Sequence, residues 1–417
     1  MSCVAEADYF RVSSEDAAEM MEAIYEELDE FARANARLAS SPRFASLASA
    51  HAVAFALDAC ALAFALDRDE ECASAAGDVS RLAELCAAHY FELPFVAPRS
   101  VADARPRRAP DVATVCAQLA AVAATPQPAQ RTPEWYAYRH DMLTASGIGK
   151  ALGSPAAVAS VVAEKCRPCR GLDGPAYEGG GNTYTPMHHG VKYEPLSAML
   201  YERLTGARLG EFGCMRHPAH ACIGASPDGI VVDPASDRYG RMLEIKNVFS
   251  RAITGVPLEA YWIQMQFQME VFGLAECDFL ETRFVEFADE AAYRADCASE
   301  HTGVVLYFLS SEATGYVRRY EYMPLEVRPA GAATWIAAKR AELAESGHSL
   351  FETLYWRLDQ WSLVLVPRHD AWLAWAVPRA LEVWAQVEAA RAAGPGPAAA
   401  PYAPPKTRAR VCVIKLE

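Results

Sequence analysis

Two carboxylates and a lysine occur at spacings that a single β-hairpin would bring together. The first stretch is Ala225-Ser226-Pro227-Asp228-Gly229-Ile230-Val231-Val232; the second, across a polar loop, is Met242-Leu243-Glu244-Ile245-Lys246-Asn247. Side chains two apart on a strand share a face, so Glu244 and Lys246 point one way while Leu243 and Ile245 point into the core. Folding the hairpin through residues 233–240 returns Asp228 to the side of Glu244. Such a pair offers hard oxygen ligands to a divalent cation, and Lys246 faces the same pocket. This is the layout of a metal-dependent phosphodiesterase. The bland alternative, an ordinary hairpin carrying surface charge, fits less well. Both halves are apolar and β-branched, an Asp-Gly turn adjoins Asp228, and no other Glu-x-Lys occurs in the chain.

Other groups join this hairpin from outside it. The run Met187-His188-His189-Gly190-Val191-Lys192-Tyr193-Glu194 opens a helix that continues through Tyr201, with Glu194 expected in its first turn. A carboxylate there is favoured by the helix dipole and is also placed to complete the cation site as a third acid. Upstream, Thr132-Pro133-Glu134-Trp135 starts a helix that carries Arg139, and Leu143-Thr144-Ala145-Ser146-Gly147 turns into a second helix. Ser146 and the neighbouring amides would hold a phosphate, with Arg139 adding a charge-assisted contact; the alternatives are plain helix capping and a surface ion pair. Downstream, Tyr261, Gln264 and Gln268 share a helix face at spacings of three and four. Gln264 is suited to bonding Lys246 or an attacking water, and an exposed polar stripe is the competing reading.

These residues need a sheet with helices around it, and the chain's texture supplies both. Residues 1–93 read as an N-terminal helical lobe, with apolar Met20, Met21, Ile24, Leu28 and Phe31 at helical spacing. Residues 94–132 form a proline-rich connection holding Arg105, Arg107 and Arg108 and a short helix at 111–124. Residues 133–330 are mixed α/β, with strands expected at 222–224, 229–233, 241–249, 278–287, 303–309 and 316–323. Residues 331–393 read as a C-terminal helical part, with helices at 332–343 and 372–393, and residues 394–417 as a flexible linker with a basic, β-prone end. A long glycine-rich loop runs from Cys166 to Asn182.

At 417 residues, 52% of them apolar, the chain can bury a large core. Twelve scattered cysteines suggest reduced thiols, and the absence of an uninterrupted apolar run of eighteen residues suggests no membrane partner. The formal charge of −14 argues against loose adhesion to nucleic acid, although a local basic groove is compatible with it. Cys166-x-x-Cys169, with His188, His189, Cys214, His217, His220 and Cys222, keeps open a zinc-binding interaction protein as an alternative. A nucleic-acid-binding protein that keeps the fold without cutting is another.

In order, Trp135 with Arg139, Thr144-Ala145-Ser146, Gly190 with Glu194, Ser226-Pro227-Asp228-Gly229, Glu244-Ile245-Lys246 and Tyr261 with Gln264 resemble the phage lambda type of restriction-endonuclease-like exonuclease. More narrowly they resemble the herpesvirus alkaline nucleases of the PD-(D/E)XK superfamily. The resemblance implies a restriction-endonuclease-like α/β core, with a central mixed β-sheet flanked by helices, between an N-terminal helical lobe and C-terminal helices. It implies a Mg2+-dependent alkaline nuclease, with Mn2+ able to substitute, that digests double-stranded DNA from a 5′ end and has endonuclease activity. Such enzymes serve viral DNA recombination, genome processing and maturation in the host nucleus with a viral single-stranded DNA-binding protein. Some relatives also cut RNA in host shutoff, which brings in the host cytoplasm. By motif, Asp228 and Glu244 resemble the metal ligands, Glu194 the additional acid, Lys246 the water-orienting lysine, and Arg139 with Ser146 the phosphate-binding pair. If a bound cation depresses the pKa of Lys246, activity would rise with pH.

Overall fold

The computed structural model describes residues 14–63, 70–93, 96–102, 111–128, 132–169, 186–296, 298–312 and 315–394. The arginines at 105–108, the glycine-rich stretch 170–185 and the tail from 395 lie outside them. The front of the chain is helical as its periodicity predicts: α1 (Ser14–Ala34), α2 (Phe44–Ala63) and α3 (Glu70–Tyr90). Ile24 and Leu28 of α1 meet Ala48, Ala52, Ala56 and Cys60 of α2 and Val79, Leu82, Ala83 and Cys86 of α3. Alanine every fourth residue gives α2 a flat side on which its neighbours can lie close. The stretch Phe44–Ala61 has a mean hydropathy of 1.4 and passes for a membrane span by length and composition. Its alanine side is used inside this lobe.

The connection contains α4 (Val112–Ala124), started by Asp111, whose side chain accepts from the Thr114 amide. Arg99 pins lobe to core, with its guanidinium donating to the carbonyls of Ser40 and Pro257 and its own carbonyl accepting from Trp262 Nε1.

The core then runs α5 (Pro133–His140), β1 (Leu143–Thr144), α6 (Ala145–Ile148), α7 (Pro155–Lys165), α8 (Pro186–Thr205), β2 (Leu209–Gly210), β3 (Met215–Arg216), β4 (Ile223–Ala225), β5 (Gly229–Val231) and β6 (Met242–Asn247). It continues through α9 (Glu259–Phe272), β7 (Glu276–Glu286), α10 (Glu290–Ala295), β8 (Thr302–Glu312), β9 (Gly315–Tyr322), α11 (Ala332–Glu345), β10 (Ser349–Pro367) and α12 (Asp370–Ala392). The main sheet has the order β2-β5-β6-β7-β10-β8-β9, and β1-β4-β3 form a small separate sheet. Only β6 and β7 are parallel within the main sheet, and α9 is the crossover between them.

Both faces of β6 are therefore covered. Leu243 and Ile245 join Tyr201 of α8 and Leu280 of β7 in one apolar cluster, while Glu244 and Lys246 face α9. The hairpin loop closes at Gly240, whose φ of 80° and whose approach to Val115, where an added Cβ would come within 2.5 Å, both demand glycine.

The mixed sheet flanked by helices is the expected class, and two details differ. The expected strand at 222–224 is β4, which belongs to the small sheet rather than the main one. The part 331–393, expected to be helical, contains β10, a 19-residue strand lying between β7 and β8. The sheet is thus not complete at residue 330.

Candidate catalytic site

The register of β5 against β6 sets Gly229 opposite Leu243, so Asp228 falls beside Glu244. The Asp228 amide donates to the Leu243 carbonyl at 3.1 Å, and its Oδ2 accepts from the Ile245 amide at 2.6 Å. Glu244 is fully buried. Its Oε1 accepts from Gln264 Nε2 at 2.7 Å and from the Lys246 ammonium, and its Oε2 accepts from Gln268 Nε2 at 2.7 Å. Lys246 also reaches Gln264 Oε1 at 3.4 Å and lies 4.9 Å from the Tyr261 ring centroid.

The electrostatics follow from burial and crowding. Burial, then the charge of Glu244, holds the Asp228 carboxyl well above the usual carboxylate range; Glu194 adds to this, and Lys246 and the Ile245 amide oppose it. For Lys246, burial pulls downward, but Glu244 and Asp228 outweigh it and push the ammonium above its ordinary value. The protein's own charges thus favour the ammonium, and a depression of Lys246 would have to come from the bound cation itself.

Two openings meet at the carboxylates. One, of about 780 Å³, is lined by Trp135, Arg139, Ser146, Glu194, Asp228 and Gln264. The other, of about 520 Å³, is lined by Glu194, Asp228, Glu244, Lys246, Tyr261 and Gln264. The sequence-expected residues thus come together around one junction. A further cavity of about 700 Å³ lies between the helical lobe and the core and contains none of them.

Individual placements correct several expectations. Glu194 is not in the first turn of its helix: α8 starts at Pro186 and has no acid in its first turn, so the dipole does not account for Glu194. Gly190 lies inside α8. Ser146 is the second residue of the four-residue α6, and the cap position belongs to Thr144; the two hydroxyls lie 3.4 Å apart. Arg139 forms no ion pair among the described residues; its guanidinium lies 4.6 Å from the Trp135 ring centroid and 3.9 Å from Cys214 Sγ. Gln264 and Gln268 are not an exposed stripe, because both are bonded to Glu244. Gln268, though on the expected helix face, was not among the candidate site residues. Its signal was a second amide one helical turn after Gln264.

The zinc alternative is not supported among the described residues. There, no three His, Cys, Asp or Glu side chains gather as a metal cluster. His188 bonds Tyr320, His217 bonds Glu270, and Cys166 lies against the Val387 carbonyl, each on a different element. The same statement covers Asp228, Glu244 and Glu194 taken as three. Mg2+, however, is commonly held by one or two carboxylates with waters and substrate phosphate completing the shell, and the all-oxygen pair Asp228–Glu244 fits that mode.

Fold and site define a mixed α/β domain built around a buried carboxylate–lysine hairpin. Residues 134–277, which contain every one of the site residues named above, match the YqaJ-like viral recombinase domain. The chain is 28% identical over 297 residues to the uncharacterized protein R354 of Acanthamoeba polyphaga mimivirus, covering 62% of this chain and 52% of that protein. The chain thus spans about half the length of the curated relative it matches. Among solved structures, an alkaline exonuclease from Laribacter hongkongensis is 22% identical with a TM-score of 0.36, covering 63% of this chain and 95% of that one. Its complex with dAMP is 21% identical, with a TM-score of 0.35 and the same coverage.

Proposed function

We propose that this chain is a divalent-cation-dependent nuclease that hydrolyses phosphodiester bonds of duplex DNA from a 5′ end, in the service of viral recombination. The observation that carries this reading is the junction itself. Asp228 lines both of two adjoining openings, Glu244 and Lys246 line one, and Arg139 and Ser146 line the other. Asp228 and Glu244, with Glu194 on the shared wall, would hold Mg2+, which when bound supplies Lewis acidity toward a phosphoryl oxygen. Arg139, paired with no acid among the described residues, is available to clamp a phosphate, and Ser146 to donate to it. Lys246, kept protonated, directs an N–H at the incoming water and opposes the charge that builds on the phosphate. Gln264 fixes Lys246 relative to Glu244, so the three move as one unit. The crowding of Asp228 against Glu244 favours added positive charge at their junction. Endonuclease and RNA cleavage, a viral single-stranded DNA-binding partner, a host-nuclear location and a herpesvirus origin extend this reading and rest on the motif resemblance alone.

The test is cleavage of end-labelled duplex DNA, with and without a 5′ phosphate and alongside structured RNA, in Mg2+, Ca2+ or chelator. Mononucleotides released from the 5′ end in Mg2+ alone are expected. Binding without products in Mg2+ would overturn the proposal in favour of a non-catalytic nucleic-acid-binding protein.

A further inference from the structure

Helix α9 carries three glutamines at alternate positions, and they do three different things. Gln266 faces away from the site: its Nε2 donates to the Pro367 carbonyl at 2.9 Å and its Oε1 accepts from the His369 amide at 2.8 Å, tying α9 to the turn before α12. Gln264 lines both openings and touches Glu244 and Lys246. Gln268 is fully buried and belongs to the wall of neither opening. Its Nε2 nonetheless donates to Glu244 Oε2 at 2.7 Å and to the Ser226 carbonyl at 3.1 Å. One amide group therefore spans both chain segments that carry the acids: strand β6, and the turn Ser226-Pro227-Asp228 leading into β5.

Resting on the nuclease reading above, we infer that Gln268 is a positioning residue that sets the spacing and orientation of the Glu244 carboxylate relative to Asp228, and through them the affinity for the divalent cation. Three observations support this. The donor is neutral, so it fixes Glu244 without cancelling the negative charge a cation needs; an arginine in its place would compete with that cation. Both Glu244 oxygens are held by amides of the same helix, one turn apart, so the carboxylate plane cannot rotate without breaking one of them. And Gln268 Oε1 is buried without a hydrogen-bond partner among the described residues, a feature that costs stability and is unexpected of a residue kept only for packing.

The experiment uses the full chain and Mn2+ as the probe, followed by its paramagnetic signal, together with cleavage over a Mg2+ titration and thermal melting. Gln268→Met keeps the volume and removes the donor together with the unpaired acceptor, so melting should stay cooperative. Its Mn2+ dissociation constant should rise about 10–100-fold, the usual effect of removing an outer-shell partner. The half-saturating Mg2+ should rise by the same factor while the rate at saturating Mg2+ stays within about threefold. Should that variant fail to fold, Gln268→Asn draws the amide back by one methylene in a side chain of the same chemistry, and a smaller shift in the same direction is expected. Wild-type cation affinity in the folded variant, or a fall in saturated rate that tracks the folded fraction with no shift in half-saturation, overturns the inference alone. Failure of the wild-type chain to bind Mn2+ or to cleave overturns the nuclease reading, and the inference with it.

Discussion

Strands β6 and β7 carry a buried carboxylate cluster on each face, and the two clusters are balanced differently. On the face toward α8, Asp278 accepts from Arg241, Arg238 and the Tyr201 hydroxyl, and Arg241 also pairs with Glu276. Two acids meet two arginines. On the face toward α9, Asp228 and Glu244 share one lysine, with Glu194 adding negative charge, and the remaining donors are neutral: Gln264, Gln268 and a backbone amide. Burial raises the carboxyl of Asp278 as it does that of Asp228, but the nearby charges act oppositely, arginines lowering the first and Glu244 raising the second. A cluster whose charges cancel locks the sheet. One with more acids than cations, bordering two cavities through Asp228, is the arrangement expected of a site for something that arrives from solution.

The largest effects separate these two faces. Asp228→Asn or Glu244→Gln should lower cleavage on the order of 10³-fold, the several kcal/mol a lost cation site represents, while the melting temperature holds or rises as crowding is relieved. Arg241→Ala should do the reverse, costing about 3–5 kcal/mol of stability by taking from Glu276 its arginine and leaving buried Asp278 with Arg238 as its one cation. Denaturant unfolding and cleavage assays on the same preparations check both. If Asp228→Asn unfolds as readily as Arg241→Ala, the distinction between the faces is wrong.

Cation addition sharpens the comparison. Mg2+ or Ca2+ at about a hundredfold over its dissociation constant should stabilise the wild-type chain by about 2.7 kcal/mol, and chelator should remove that increment together with all cleavage. Asp228→Asn and Glu244→Gln should show little of it, while a variant on the arginine face that still folds should retain it. Scanning calorimetry with and without cation provides the measurement. Equal stabilisation of all variants would place the cation elsewhere.

Arg139 offers a smaller effect. Its guanidinium rests on the Trp135 ring and pairs with no acid among the described residues. Arg139→Ala should raise KM for duplex DNA about tenfold, or about 1.4 kcal/mol, and reduce the slope of log affinity against log salt by about one. Its stability should barely move. An unchanged salt slope would remove Arg139 from the phosphate path.

What could be read in advance divides along the same line. The hairpin was legible because alternation, an Asp-Gly turn and the Glu-x-Lys spacing are all local. The balanced cluster was not, because Arg241 and Asp278 are joined only by the parallel pairing of β6 with β7, which no nearby residue announces. Strand β10 was missed for a different reason. Its register slips between Leu350 and Glu352 and again between Leu358 and Gln360, and each bulge resets the period-two pattern. The small sheet contains strands of two or three residues, too short to show any period. Glu194 lines both openings but not the first turn of its helix, because α8 already begins at Pro186 and runs unbroken through Gly190. Gln268 lay on the expected face, yet only the coordinates reveal that its amide bridges Glu244 and Ser226.

A pH effect tests a site just outside the open face, where charges are again balanced. Lys192 pairs with Glu286, and His189, one turn earlier on α8, has a buried Nε2 without a partner among the described residues. Burial first, and then the Lys192 charge, lower the imidazole pKa to about 4, against the pull of Glu286. A histidine depressed in the folded state binds fewer protons there than in the unfolded chain, whose value is about 6.5. Its neutral form therefore contributes stability above about pH 6.5, lost as pH falls toward 4. Allowing for partial exposure, the contribution is about 1–2 kcal/mol. Urea midpoints at pH 8 and pH 5 should show the wild type losing more than His189→Phe, which keeps a ring beside Tyr193 and Phe249 and has nothing to protonate. Parallel losses in the two proteins would mean that His189 already takes its proton in the fold, and that the charge surplus of the open face reaches further along α8 than Glu194.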